Sequence, residues 1–349
     1  MNRREFSAAI AGLAGAVTLP GAHAGNGLVT GARLIKPPRL KPGALIGLIM
    51  PSGVTDDAHI EKCHRQLEAL GFRVKDGKNI RAAWGGYAGS IKDRLDDLHA
   101  MFEDREVSAI WAGRGGSGAG ALLPGIRYDL IRRNPKILIG YSDITALHLA
   151  IYRRAGLVTF HGPVASSSPT DYTVTQMQAV LMHPRPETTI YMSIENQRRA
   201  ETQPAFTMRT LRPGVAEGPL VGGNLSVLAA LIGTPYAAQL RNHLLFLEDV
   251  SEAPYRVDRL LTQLDQAEGL KNAAGSMLGV FTRGDAPKGD KSLSMEQVID
   301  HHFASLKAPA VYGYSVGHIP HQFTIPMGIR ARLDTEAQTL TLLESAVSG

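Results

Sequence analysis

From residue 44 onward the chain alternates short, mostly apolar runs with longer amphipathic stretches, and this rhythm excludes most folds. The runs at 44–50, 72–75, 108–112, 136–140 and 157–161 have the length and composition of buried strands. Between them, 57–70, 90–104 and 144–155 carry apolar residues at helical spacing, and Gly71 and Gly156 stand where the first and last of these stop. Strands apolar along their whole length must be covered on both faces. A parallel sheet with helices packed on either side is the arrangement that does this.

The pattern weakens from Gly162 to about Pro204, where Pro163, Pro169, Pro184 and Pro186 suggest a connection across the surface with one helix near 174–182. It resumes with apolar runs at 208–211, 219–221, 243–250 and 277–281 and helical stretches at 224–232, 255–264 and 295–306. The tail at 328–343 alternates like a hairpin or a pair of edge strands. A chain of this length is more than one core usually serves. The expected division is 40–165, a linker at 166–204, and 205–349. No repeat and no membrane-spanning segment is evident.

Residues 1–24 read as a secretory signal. Arg3-Arg4 precedes Phe6, a short apolar run follows, and Ala22-His23-Ala24 offers an A-x-A cleavage site. The paired arginines suggest the twin-arginine route and a periplasmic mature protein. The signal's two arginines and one glutamate leave the net charge of +5 only one unit lower after removal. Acidic and basic residues are interspersed, with no basic block that would point to nucleic acid. The single Cys63 excludes an internal disulfide and a cysteine metal site, and it reads as a small core residue.

Several segments could carry chemistry. Ser142 stands where an apolar strand meets a helix, in Gly140-Tyr141-Ser142-Asp143-Ile144. That setting resembles a nucleophile elbow, although Ile144 replaces the second glycine of G-x-S-x-G. The N–H of Asp143 would then be a natural oxyanion donor. Taken alone, Ser142 and Asp143 more often form a helix N-cap. The loop Gly113-Arg114-Gly115-Gly116-Ser117-Gly118 follows another strand. It could cradle a phosphate or bring a second oxyanion donor beside Ser142; the G-x-G-x-x-G pattern is incomplete and no Walker lysine is present. Glu248 and Asp249 end one apolar strand, where α/β sites form. His318 follows another, and His318 with His321 lacks a third metal ligand in obvious spacing.

Together these segments resemble one family, the LD-carboxypeptidases, which include the microcin-C self-immunity peptidases. The resemblance spans about Leu40 to Asp334. It rests on Arg114-Gly115-Gly116, Gly140-Tyr141-Ser142-Asp143, Phe160-His161-Gly162-Pro163, Gly222-Gly223-Asn224, Glu248-Asp249, Gly317-His318 and Thr324-Ile325-Pro326-Met327-Gly328. It implies an N-terminal flavodoxin-like parallel-sheet domain followed by a smaller C-terminal α/β domain, usually as a homodimer. It also implies a triad of Ser142, Glu248 and His318, with oxyanion donors at Gly116 and Asp143. Arg114 and Gly115 are candidates for substrate contact. Ser117 departs from the tyrosine common in this loop, and the signal departs from the cytoplasmic muropeptide-recycling members.

The expected reaction is metal-free and cofactor-free hydrolysis of the L,D-peptide bond before a terminal D-alanine of murein tetrapeptides. Cleavage of a microcin-like peptide conjugate is the alternative within enzymes, and an exported periplasmic binding protein is the alternative outside them. The secreted form is expected to begin at Gly25. N-terminal sequencing that returns Met1 would refute the signal.

Overall fold

A computed structural model describes residues 34–286, 289 and 291–349, so the signal segment lies outside the described residues. In the first unit the apolar runs become β1 (Leu45–Ile49), β2 (Arg73–Asp76), β3 (Val107–Ala112), β4 (Ile137–Gly140) and β5 (Phe160–His161). Helices α1 (Asp57–Ala69), α2 (Ile91–Glu103), α3 (Tyr128–Arg133) and α4 (Thr145–Ala155) separate them. Local chemistry sets the helix ends. Asp56 accepts the His59 N–H to start α1, Ser90 and Asp93 form a capping box on α2, and Gly156 closes α4 in a left-handed turn.

The five strands are parallel in the order β2-β1-β3-β4-β5, the flavodoxin-like sequence of neighbours. Their buried side chains include Ile46, Leu48, Ile110, Trp111, Ile137, Leu138 and Ile139. Cys63 sits in this core at full burial, as its sequence setting suggested, and burial pushes its thiol up to about 12.

The stretch expected as a surface connection is more structured than its prolines suggest. It holds α5 (Asp171–Leu181), β6 (Thr188–Tyr191) and α6 (Ile194–Arg199). Strand β6 is too short and too exposed to show a period of two, and it owes its place to pairing rather than burial. Next come β7 (Arg209–Arg212), β8 (Val215–Asn224), α7 (Leu225–Ala230), β9 (Leu244–Glu248), α8 (Pro254–Glu268), β10 (Gly275–Leu278), α9 (Met295–Phe303) and β11 (Ala310–Tyr312). The chain finishes with β12 (Ile325–Pro326), β13 (Arg330–Asp334) and β14 (Thr339–Leu342), the last two forming the expected hairpin.

Strands β8, β9, β10 and β11 form a parallel centre, and antiparallel strands widen it to eight in the order β6-β14-β13-β8-β9-β10-β11-β7. The first sheet gains its sixth strand from far along the chain, because β12 pairs antiparallel with β5.

Two glycines bring the sheets' contents together. The backbone of Gly222 (φ 152°) passes so close to β9 that a Cβ would stand 1.8 Å from the Phe246 carbonyl oxygen. At Gly223 (φ 134°) a Cβ would stand 2.5 Å from the Thr145 side chain at the start of α4. The next residue closes the contact, its Asn224 N–H donating to Thr145 Oγ1 at 3.0 Å. Gly222→Ala is therefore expected to lose about 4 kcal/mol of stability or fail to fold. Gly120→Ala, whose Cβ meets nothing within 4 Å, should stay within about 0.5 kcal/mol of the parent. Urea denaturation of both proteins checks this.

Candidate active site

The carboxyl ends of β3, β4, β9 and β11 carry the residues singled out in the sequence. After the buried strand β4, Tyr141 is extended (φ −147°, ψ −172°) and Ser142 turns sharply at φ 63° before a short 3-10 turn enters α4. A serine pays no such conformational cost in an ordinary helix cap. The left-handed region costs a residue with a Cβ on the order of 1 kcal/mol, and such strain gathers where a side chain must be presented in one direction. The N-cap reading fails here, since Ile144 is the N-cap of α4 and no side chain caps it.

Asp143 turns its carboxylate away from its own helix. Its Oδ2 accepts the N–H of Ala119 at 2.8 Å and so holds the far end of the glycine loop. Arg94 holds the same loop from the other side, its Nη1 donating to the carbonyls of Gly118 at 3.0 Å and Pro51 at 3.1 Å. This arginine is only 3% exposed, and its burial pushes its pKa down while the Asp143 charge opposes the shift. Held this way, the loop packs directly on the serine. A Cβ on Gly115 would lie 2.9 Å from Ser142 Cβ and 3.1 Å from Ser142 Oγ. Gly116 (φ 126°) and Gly118 (φ 103°) make the turn that brings it there. Among the described residues, the N–H of Gly116 meets no protein acceptor, and the N–H of Asp143 lies in the 3-10 turn that leads into α4. Half-buried Arg114 donates through Nη1 to the Val54 carbonyl at 2.8 Å, and Ser117 is exposed at the rim.

On the opposite side, His318 Nδ1 and Glu248 Oε2 are 2.7 Å apart. Glu248 closes β9 with no exposed surface, whereas the His318 side chain is 16% exposed. Gly317 (φ 132°) makes this approach possible, since a Cβ there would meet the Val280 carbonyl at 2.8 Å and Glu248 at 3.5 Å. Burial alone would push the Glu248 carboxyl up. The hydrogen bond and charge of His318 outweigh it and hold the group below the ordinary carboxylate range. Asp249 has a different task, since its carboxylate binds Asn224 Nδ2 at 2.9 Å and the N–H and hydroxyl of Ser226 at 2.9 and 2.7 Å.

The Tyr141 ring bridges the two sides, its centroid 4.7 Å from that of His318. Among the described residues, Ser142 Oγ makes no hydrogen bond to another side chain. Such contacts commonly tighten only with substrate in place. The arrangement thus brings a strained serine, a glycine loop packed on it and a carboxylate-oriented imidazole to the two sides of Tyr141, the kinds of part that acyl transfer requires.

Arg94 and Tyr141 were not singled out as site residues in the sequence. The available signal for Arg94 was an arginine on the apolar stripe of α2, four residues before Leu98 and seven before Met101. His321 does not join His318 in a metal cluster. Among the described residues, Asp258 on α8 with His301 and His302 on α9 is the one group whose ligand atoms lie within 4.8 Å of one another, and His302 there already bonds Asp258 at 2.9 Å.

Comparison with known proteins gives a consistent match. The sequence profile of the LD-carboxypeptidase N-terminal domain matches residues 46–162, and that of the C-terminal domain matches 217–333. The chain is 40% identical over 313 residues to the "Probable murein peptide carboxypeptidase" of Bacillus subtilis (strain 168), covering 90% of this chain and 95% of that one. It is 31% identical over 294 residues to the murein tetrapeptide carboxypeptidase of Pseudomonas aeruginosa, covering 83% and 92%. The crystal structure of an MccF-like protein from Bacillus anthracis superposes with a TM-score of 0.77 at 29% identity, covering 89% of this chain and 99% of that one.

Strain at the elbow gives a direct test. Ser142→Gly should unfold at higher urea than Ser142→Ala, by about 1 kcal/mol, because glycine adopts φ 63° without a Cβ clash. Equal midpoints would show that the turn stores no strain.

Proposed function

The chain belongs to the LD-carboxypeptidase family of serine peptidases, and on that premise we propose that it removes the terminal D-alanine of murein tetrapeptides through Ser142, His318 and Glu248. The observation that carries the assignment is the 2.7 Å bond between His318 and a fully buried Glu248, opposite a serine held at φ 63°.

In this mechanism His318 Nε2 takes the Ser142 hydroxyl proton as Oγ attacks the carbonyl of the scissile bond. The tetrahedral oxyanion is held by the N–H groups of Gly116 and Asp143, one such donor being worth about 100- to 1,000-fold in rate. His318 then gives its proton to the departing amine of D-alanine, leaving an acyl-serine. Water, deprotonated by the same histidine, attacks that ester and regenerates the serine. Throughout, Glu248 fixes the tautomer with Nδ1 protonated and stabilises the imidazolium. A carboxypeptidase must also meet the free carboxylate of its substrate. Arg114, with one nitrogen anchored on Val54 and the rest of its guanidinium uncommitted to that bond, is the proposed partner, and Gly115 lines the same approach.

We further propose that the mature protein acts in the periplasm as a homodimer. Among the described residues, no helix is long and apolar enough to cross a membrane. The likeness to the MccF-like structure favours a second reading, in which the same machinery cleaves a microcin-like peptide conjugate. Turnover of a murein tetrapeptide against that of an aminoacyl-sulfamoyl adenylate separates the two.

Ser142→Ala and His318→Gln should each lower kcat at least about 10,000-fold on the preferred substrate, with the fold intact by circular dichroism. Glu248→Gln should fall by a similar factor through the wrong tautomer, with KM little changed. Unchanged turnover of a murein tetrapeptide by Ser142→Ala would remove the nucleophile assignment.

A further inference from the structure

One buried polar group in this region takes no part in the steps above. His161 is the second residue of β5, paired with Gly140 on one side and Ile325 of β12 on the other. Its exposure is zero, yet neither ring nitrogen has a hydrogen-bond partner among the described residues. An imidazole brings one donor and one acceptor into the core, and leaving both unmet costs far more than an apolar side chain of the same shape would. Packing alone therefore gives no reason for a histidine here.

Its surroundings supply one. The ring lies edge-on to Phe246 at 5.3 Å and to Tyr141 at 6.1 Å, and Tyr141 in turn rests 4.7 Å from His318. Phe246 and Glu248 are two residues apart on β9, so they point to the same face of that strand. Glu248 Oε1 is a second fully buried polar atom with no hydrogen-bond partner, the nearby Asn224 amide donating to Asp249 instead, while its Oε2 is taken by His318. An imidazole with an unused N–H and a carboxylate with an unused oxygen therefore belong to one buried cluster. The other titratable groups coupled to this cluster are His148 on α4, the Tyr141 phenol, His318, Asp249 beside Glu248 and, through Tyr141, Arg283. From β12's side comes the Thr324 hydroxyl, against Gly162. Burial pushes the His161 pKa down to about 4 against the opposing pull of Glu248, so the ring is neutral near pH 7 and has a single N–H to give.

We propose that His161 is a positioning residue whose N–H, relayed through one buried water, holds Glu248 Oε1 so that Oε2 stays on His318 Nδ1. This rests on the reading of Ser142, His318 and Glu248 as the working triad. A carboxylate bonded through one oxygen alone can rotate, and it concentrates its charge on the imidazolium. A second donor fixes the plane and shares the charge. Losing that donor makes Glu248 the stronger base, which favours protonated His318 and moves the acid limb of activity to higher pH.

The test compares His161→Phe and His161→Met, which remove the donor, with His161→Gln, which keeps an N–H. The readouts are the rate at which a fluorophosphonate labels Ser142 across the pH range and kcat and KM on a murein tetrapeptide. The donorless variants are expected to label about 10- to 100-fold more slowly near neutral pH, with kcat reduced, KM held and the acid limb raised by about half to one pH unit. His161→Gln should recover most of the rate and the original limb. A folded donorless variant with the parent rate and limb overturns the proposal. So does equal slowing of all three variants with no movement of the limb, the result of a packing role. Labelling of the parent at Ser142 and its loss in Ser142→Ala test the triad separately, since they do not depend on His161.

Discussion

A carboxylate with no solvent contact can persist as an anion only where something else replaces its water. For Glu248 that replacement is the 2.7 Å bond to His318, and much of the second unit is arranged around it. Severing such a bond leaves a buried charge uncompensated, a loss of about 3 to 5 kcal/mol in other proteins. Strand β9 delivers the carboxylate, the bridge between Val280 and Gly317 delivers the imidazole, and Gly317 lets the two backbones approach. The pair is then roofed by the Tyr141 ring from the first unit. An interaction this dependent on its surroundings ties the geometry of this pair to the packing of both sheets.

The first unit answers with strain and restraint. Ser142 sits in a conformation that its own side chain disfavours, and β4, α4 and the glycine loop hold it there. Asp143 and Arg94 fasten that loop through charge-assisted hydrogen bonds to backbone groups, so its backbone is held in place against Ser142. Asp143 thus does two things with one residue. Its side chain fixes the loop while its backbone forms the turn into α4.

Strand and helix order were legible in the sequence because buried parallel strands are apolar along their whole length. Strands β1, β3 and β4 follow from that, whereas the edge strand β2 and the final hairpin show in their alternation instead. Strand β6 was hidden, since an exposed edge strand carries no period and its partner lies about 150 residues away in sequence. At the site, Ser142, Glu248 and His318 were each ambiguous by local sequence. Ser142 in particular read as a cap, because a cap and an elbow both place a serine before a helix and differ only in the sign of φ. Resemblance to a family singled them out, and the geometry adds what no local rule contains, namely Tyr141 between the two sides. Arg94 and His161 escaped for a shared reason. Each is a polar residue at a position whose periodicity predicts an apolar one, and periodicity cannot tell a misplaced charge from a purposeful one.

Strand β12 gives this molecule an order of assembly. The first sheet is made from residues 45–161, but its edge is closed by Ile325 and Pro326, and residues 35–39 are stitched to Glu344 and Ser348 near the other end of the chain. Residue 326 must therefore have left the ribosome before the sheet that carries Ser142 can be completed. Until then the β5 edge is open and His318 has not yet been supplied to Glu248. The turn at Ser142 can form early, but its sheet and the Glu248–His318 pair must wait for residues 318–326.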